Sequence, residues 1–139
     1  MVSESSQTRT LTGGCMCGAV RYEVRDFPAG EDDGIDGVLC HCKTCQKMNT
    51  MLSYNVQGVR QNLHVVTGEP KTWVDDNADS GKPITRAFCG TCGTALWSAP
   101  DSAPEVVFVK AGALDQIDEV KPKVEIVSSG INNEHIAES

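Results

Sequence analysis

The sequence predicts a mainly β protein with one short helix beside a cysteine cluster, and three observations carry that expectation. Short apolar runs of Val, Ala, Leu and Ile recur between Gly, Pro, Asn and Asp punctuation, several of them alternate with a period of two, and seven cysteines fall into tight groups. At 139 residues the chain fits one domain, and with only 5% aromatic residues its core is built from modest pieces, so a metal staple adds usefully to stability.

Residues 1–12 are polar and read as a disordered N-terminal segment, with the ordered domain spanning residues 13–127 and a polar tail over 128–139. Gly13-Gly14 precedes Cys15-Met16-Cys17-Gly18, and Ala19 to Val24 then alternates as a half-buried strand does. The stretch from Phe27 to Gly37, with Pro28, Gly30, Gly34 and the acids Glu31, Asp32, Asp33 and Asp36, reads as a solvated loop. Gly37-Val38-Leu39 feeds a short strand into Cys40-His41-Cys42-Lys43-Thr44-Cys45-Gln46-Lys47-Met48, whose later half suits one or two helical turns. Further strands are expected at Ser53–Val56, Leu63–Thr67, Lys71–Val74, Ile84–Phe88, Ala95–Ser98, Val106–Ala111 and Val124–Val127, with an acidic loop over Asp75–Pro83.

The 19 acidic residues outnumber 12 basic ones, giving a net charge of -7 that opposes nucleic acid as a partner. The N-terminal residues show no basic region followed by an apolar run, and no stretch reaches the length of a membrane span. The expectation is a soluble, cytoplasmic protein without a membrane partner. In such a compartment thiols stay reduced, and an odd number of cysteines cannot pair completely, so clustered cysteines point to metal.

Cys15-Met16-Cys17 and Cys89-Gly90-Thr91-Cys92-Gly93 together supply four thiolates. Cysteines two apart in extended backbone point to one side, and Gly90 and Gly93 allow the positive φ of a knuckle, so the four suit one closed tetrahedral zinc site. A redox pair at Cys89 and Cys92 lacks the βαβ setting such motifs use. Cys40, Cys42 and Cys45 remain, three ligands that leave a coordination position for a substrate atom. If Cys42 and Cys45 begin a helix they share a face, and the helix N-terminus favours their thiolates. The alternative for this trio is a second structural zinc closed by His41, a carboxylate or a neighbouring chain. His41, between two cysteines, suits a hydrogen-bonding role better than ligation; His64 reads as structural, and His135 as solvated.

The ordered set Gly14-Cys15-Met16-Cys17-Gly18-Ala19-Val20-Arg21-Tyr22, then Cys40-His41-Cys42-Lys43-Thr44-Cys45-Gln46-Lys47, then Phe88-Cys89-Gly90-Thr91-Cys92-Gly93-Thr94 resembles the glutathione-dependent formaldehyde-activating enzyme and centromere protein V family. Ala111-Gly112-Ala113-Leu114-Asp115 is similar to that family's glycine, leucine and aspartate segment, while the end of the chain lacks the tryptophan often found there. The resemblance implies a β-tent type fold related to methionine sulfoxide reductase B. It also implies two zinc ions per chain: a structural one on Cys15, Cys17, Cys89 and Cys92, and a catalytic one on Cys40, Cys42 and Cys45. The implied activity is that of a carbon-sulfur lyase or synthase joining glutathione, or a similar thiol, to formaldehyde or another aldehyde.

Glutathione's carboxylates need cationic partners, and Lys43, Lys47 and Arg86 are the basic residues closest to the motifs in sequence, with Tyr54, Trp73 and Trp97 as candidate pocket walls. Two other readings fit the same residues: a related zinc enzyme acting on a different thiol adduct or metabolite, and a non-catalytic zinc-stabilised binding module. A methionine sulfoxide reductase activity needs a free nucleophilic cysteine, which this assignment does not leave.

Overall fold

The computed structural model describes residues 7–29, 34–77 and 80–126, together with the backbone of 133–135. As expected, the protein is mainly β, with one α-helix among the described residues. A three-stranded antiparallel sheet has the order β1 (Thr8–Gly14), β2 (Arg21–Pro28), β5 (Leu63–Thr67). An eight-stranded sheet runs β11 (Asn133–His135), β10 (Val120–Ile126), β3 (Ile35–Cys40), β4 (Ser53–Val59), β9 (Val106–Lys110), β8 (Ala95–Pro100), β7 (Ile84–Phe88), β6 (Lys71–Asp75). Only β10 and β3 pair in parallel; the other neighbours are antiparallel. No helix of the described residues is long and apolar enough to cross a membrane.

The two-residue period assigns the faces of the large sheet. Ala87, Trp97, Val109 and Val56 are successive cross-strand partners, and they point toward the small sheet, where Trp97 meets Tyr22 edge-on with ring centroids 5.2 Å apart. Leu11, Tyr22 and Val24 of the small sheet complete this core, each 1% exposed or less. The opposite face carries Val38, Asn55 and Lys110 in one cross-strand row, and Arg86, Ser98 and Phe108 in the next.

Several boundaries differ from the sequence reading. The expected loop from Phe27 to Gly37 is shortened at both ends, since β2 runs to Pro28 and β3 begins at Ile35, whose side chain is buried. Residues 8–12 are not frayed: β1 starts at Thr8 and pairs with β2, because Leu11 is fully buried and its flanking polar groups find partners about a hundred positions away. Thr12 Oγ1 donates to Asp115 at 2.6 Å, Thr12 N to Gln116 Oε1 at 3.0 Å, and Arg9 pairs with Glu119 at 2.7 Å. The family-like Ala111–Asp115 segment thus clamps the N-terminal strand, with Asp115 also holding Arg21. At the other end, β10 begins at Val120, four residues early; Lys121-Pro122-Lys123 hides it, and the strand accepts Pro122 at a register shift. A backbone strand at 133–135 pairs with β10 in the expected tail, while the side chain of His135 lies outside the described residues. Leu11→Ala is therefore expected to destabilise the protein by about 2–5 kcal/mol, read as a shift in the denaturant midpoint; a frayed segment would show no shift.

Candidate metal centres and the adjoining cavity

The outer cysteines come together as expected. Cys15 and Cys17 lie in the β1–β2 turn and Cys89 and Cys92 in the β7–β8 turn, with all four sulfurs within 4.8 Å of one another. The Cys15–Cys17 and Cys17–Cys89 sulfurs are 3.6 Å and 3.8 Å apart. A tetrahedron with metal–sulfur bonds of about 2.3 Å has edges of about 3.8 Å, so the donor set fits a tetrahedral thiophilic ion. The local geometry departs from the expected extended pair: Gly18 N donates to Cys15 O at 3.1 Å, which makes Cys15 to Gly18 a tight turn. The second turn matches it, with Gly93 N bonded to Cys89 O at 2.9 Å and positive φ at both Gly18 and Gly93 (84° and 82°). Gly90 does not have the positive φ expected of it; an added Cβ there would meet Lys71 Cγ at 3.0 Å. Backbone N–H groups of Val20, Thr91 and Cys92 point at the Cys15 and Cys89 sulfurs at 3.2–3.4 Å, an arrangement suited to thiolates. The Thr94 hydroxyl and N–H push the Cys92 thiol down to about 5.

The second cluster forms where β3 ends and α1 (Lys43–Asn49) begins. Cys40 is the last residue of the strand, Cys42 is the N-cap, whose sulfur accepts from Cys45 N at 3.4 Å, and Cys45 lies in the first turn. Their three sulfurs lie within 4.8 Å of one another, and the fit to a metal is again good. Cys45 is held down to about 5, first by the hydrogen bond from Cys40 and then, against burial, by Ser53 and Cys42, with the Lys110 charge adding to them. The same bond, then burial, raises Cys40. His41 turns away from the sulfurs: its ring Nε2 lies against the Glu125 carboxylate of β10, and its backbone N–H donates to Ile126 O at 2.7 Å.

Only this second cluster opens into the main cavity, a space of about 300 Å³ on the face of the large sheet that does not pack on the small one. Its surface is largely apolar, with Val38, Ile84, Pro100 and Phe108 in the wall, and Ser53, Asn55, Arg86 and Lys110 are among its polar groups. That volume is at the lower end for small-molecule sites. Ser53 Oγ donates to Cys45 Sγ at 3.2 Å and accepts from Asn55 Nδ2 at 3.0 Å, which fixes the sulfur from the neighbouring strand.

The candidate substrate-binding residues fare differently. Lys43 and Lys47 are exposed on α1 and do not line the cavity, because the helix turns them to solvent while Thr44 and Cys45 face inward. Arg86 does line it, yet its charge is matched by buried Asp75, at 3.0 Å from Nε and 2.9 Å from Nη2. Tyr54 donates to Val120 O, Trp97 packs on Tyr22, and Trp73 is half exposed on edge strand β6, so none of the three lines this cavity. His64 is half buried on β5. Ser53, Asn55 and Lys110 escaped the sequence reading. The available signal was their alternation with Tyr54, Val56, Val107 and Val109, a pattern that ordinarily marks a solvent face.

A Halomonas elongata protein named "Putative glutathione-dependent formaldehyde-activating enzyme" is 33% identical over 112 residues, covering 76% of this chain and 66% of that protein. The match thus spans just under two thirds of that relative's length. A crystal structure of a Rhodobacter sphaeroides protein superposes with a TM-score of 0.58 at 24% identity, covering 80% of this chain and 97% of that one, a likeness of fold. The family model for glutathione-dependent formaldehyde-activating enzymes matches residues 10–129, which include both cysteine clusters and the cavity strands. The chain belongs to the glutathione-dependent formaldehyde-activating enzyme family.

Proposed function

We propose that this protein is a zinc-dependent carbon-sulfur lyase or synthase that joins glutathione, or a thiol like it, to formaldehyde or another aldehyde, and cleaves the same bond in reverse. The observation that carries the reading is the asymmetry of the two clusters. The four-cysteine set ties two turns together, whereas the three-cysteine set forms part of a cavity wall.

Cys15, Cys17, Cys89 and Cys92 would hold a structural zinc, and Cys40, Cys42 and Cys45 a second. Bound there, zinc supplies Lewis acidity and favours the thiolate form of a thiol that reaches it. The chain's own groups contribute position and exclusion of water. Ser53 fixes Cys45, and the apolar wall holds thiol and aldehyde together out of bulk solvent, which makes the encounter effectively intramolecular. In the addition, the carbon–sulfur bond forms at the carbonyl carbon, the π pair moves to oxygen, and that oxygen gains the proton the thiol gives up.

Protein purified without chelator is expected to carry more than one zinc per chain, approaching two, and to accelerate thiol–aldehyde adduct formation above the uncatalysed background. Elemental analysis and adduct kinetics check this together. Fully loaded protein with no rate above background would refute the reading for this thiol and aldehyde.

A further inference from the structure

One buried acceptor on the cavity wall has no partner within the described protein, and a cation stands opposite it. Asn55 is 8% exposed and lines the cavity; its Nδ2 is bonded to Ser53, while its Oδ1 is buried with no hydrogen-bond donor. Lys110 lines the same cavity half-buried; its charge acts on the sulfurs of Cys45, Cys40 and Cys42 and its ammonium makes no hydrogen bond with the described residues, while the other cation there, Arg86, is neutralised by Asp75. Leaving a buried acceptor unmatched costs about 1–3 kcal/mol. Such an acceptor persists where something else completes it.

The two residues are also neighbours. Asn55 and Lys110 are directly opposite partners of β4 and β9, a relationship that sets their Cβ atoms about 4.5–5.5 Å apart on one face of the sheet. One is an acceptor and the other a donor, and a single hydroxyl is both. Asn55 is in turn one hydroxyl removed from the cysteine cluster, through Ser53 to the Cys45 sulfur at 3.0 Å and 3.2 Å.

We infer that Asn55 and Lys110 form the oxygen subsite of the adduct, binding the hydroxyl that stands one carbon from the substrate sulfur. The inference rests on the thiol–aldehyde reading above and adds the residues that recognise the oxygen of the adduct. The carbonyl oxygen of the aldehyde accepts from Lys110. Once the carbon–sulfur bond has formed, the same oxygen is a hydroxyl that donates a hydrogen bond to Asn55 Oδ1. The second bond exists only on the adduct side of the reaction, so it favours addition over mere aldehyde binding.

Lys110→Met and Asn55→Leu test this, with glutathione and formaldehyde as the probes. Both variants are expected to keep their metal and their calorimetric affinity for glutathione, and to lose about ten- to a hundredfold in kcat/KM for formaldehyde at saturating glutathione, with Lys110→Arg recovering part of the loss. Should Asn55→Leu fail to fold, Lys110→Met decides alone. Unchanged formaldehyde kinetics would overturn the inference, as would a loss explained by weaker glutathione binding, missing metal or a lowered melting temperature. A wild-type protein that is fully loaded yet inactive would instead bring down the thiol–aldehyde reading, and the subsite with it.

Discussion

Cys89→Ser is expected to abolish the cooperative thermal transition, whereas Cys42→Ser should keep it. Cys15 and Cys17 sit between β1 and β2 of the small sheet, and Cys89 and Cys92 between β7 and β8 of the large one, so an ion on these sulfurs cross-links the two sheets that enclose the core. Structural zinc contributes on the order of 10–16 kcal/mol of apparent binding free energy, while a domain's whole stability is about 5–15 kcal/mol. Losing one of four ligands therefore removes a share comparable with everything that keeps the chain folded. Cys40, Cys42 and Cys45 all belong to one short segment at the β3–α1 junction, so an ion on them would close no long loop. Cys42→Ser should retain a β-rich circular dichroism spectrum and a sharp melt, lose metal down to about one zinc per chain, and lose catalysis. Equal unfolding of the two variants, or full activity of a folded Cys42→Ser, would show that the clusters do not divide into structural four and catalytic three.

Arg86→Met is expected to cost about 3–5 kcal/mol, because it leaves the Asp75 carboxylate buried without its partner. The pair is well enclosed, with side chains 10% and 4% exposed, and Arg86 Nη1 reaches Ser98 Oγ at 3.4 Å. Burial alone would raise the Asp75 carboxyl; the Asn77 N–H and the Arg86 guanidinium outweigh it and hold the carboxyl below its ordinary value. A depressed carboxyl contributes stability that is fully present above its unfolded value near 4 and is lost as pH falls through the folded one. The gap between wild type and Arg86→Met should thus be widest at neutral pH and narrow below about pH 4, as Asp75 takes up a proton in both proteins. Replacing both residues, Arg86→Met with Asp75→Leu, should recover most of the loss, since no charge is then left buried. Urea titrations across this pH range compare the wild type with both variants. A loss that the double replacement does not relieve would mean that Arg86 acts by packing and not by charge.

The sequence by itself determined most of the elements and the two cysteine clusters. The expected strands at Leu63–Thr67 and Ile84–Phe88 match β5 and β7 end to end, and the helix beside the middle cysteines is α1, because period-two alternation and Gly/Pro punctuation are local properties. The division of seven cysteines into four and three was likewise legible, since ligands of one metal must lie within a few ångströms and C-x-C and C-x-x-C spacings enforce that locally. Strand β1 was not legible: its single buried leucine gives no period, and the groups that hold it, Asp115, Gln116 and Glu119, are distant in sequence. The cavity's polar wall was hidden for a related reason. Ser53, Asn55 and Lys110 alternate with core residues just as solvent-facing residues do, and only the tertiary placement of α1, whose Thr44 and Cys45 line the same cavity, decides that this face is covered. Charge followed the same rule. Proximity in sequence favoured Lys43, Lys47 and Arg86, but the structure turns the first two outward, pairs the third with Asp75, and leaves Lys110 facing the cysteines, because the partner of a charge is set by tertiary contact and not by chain distance.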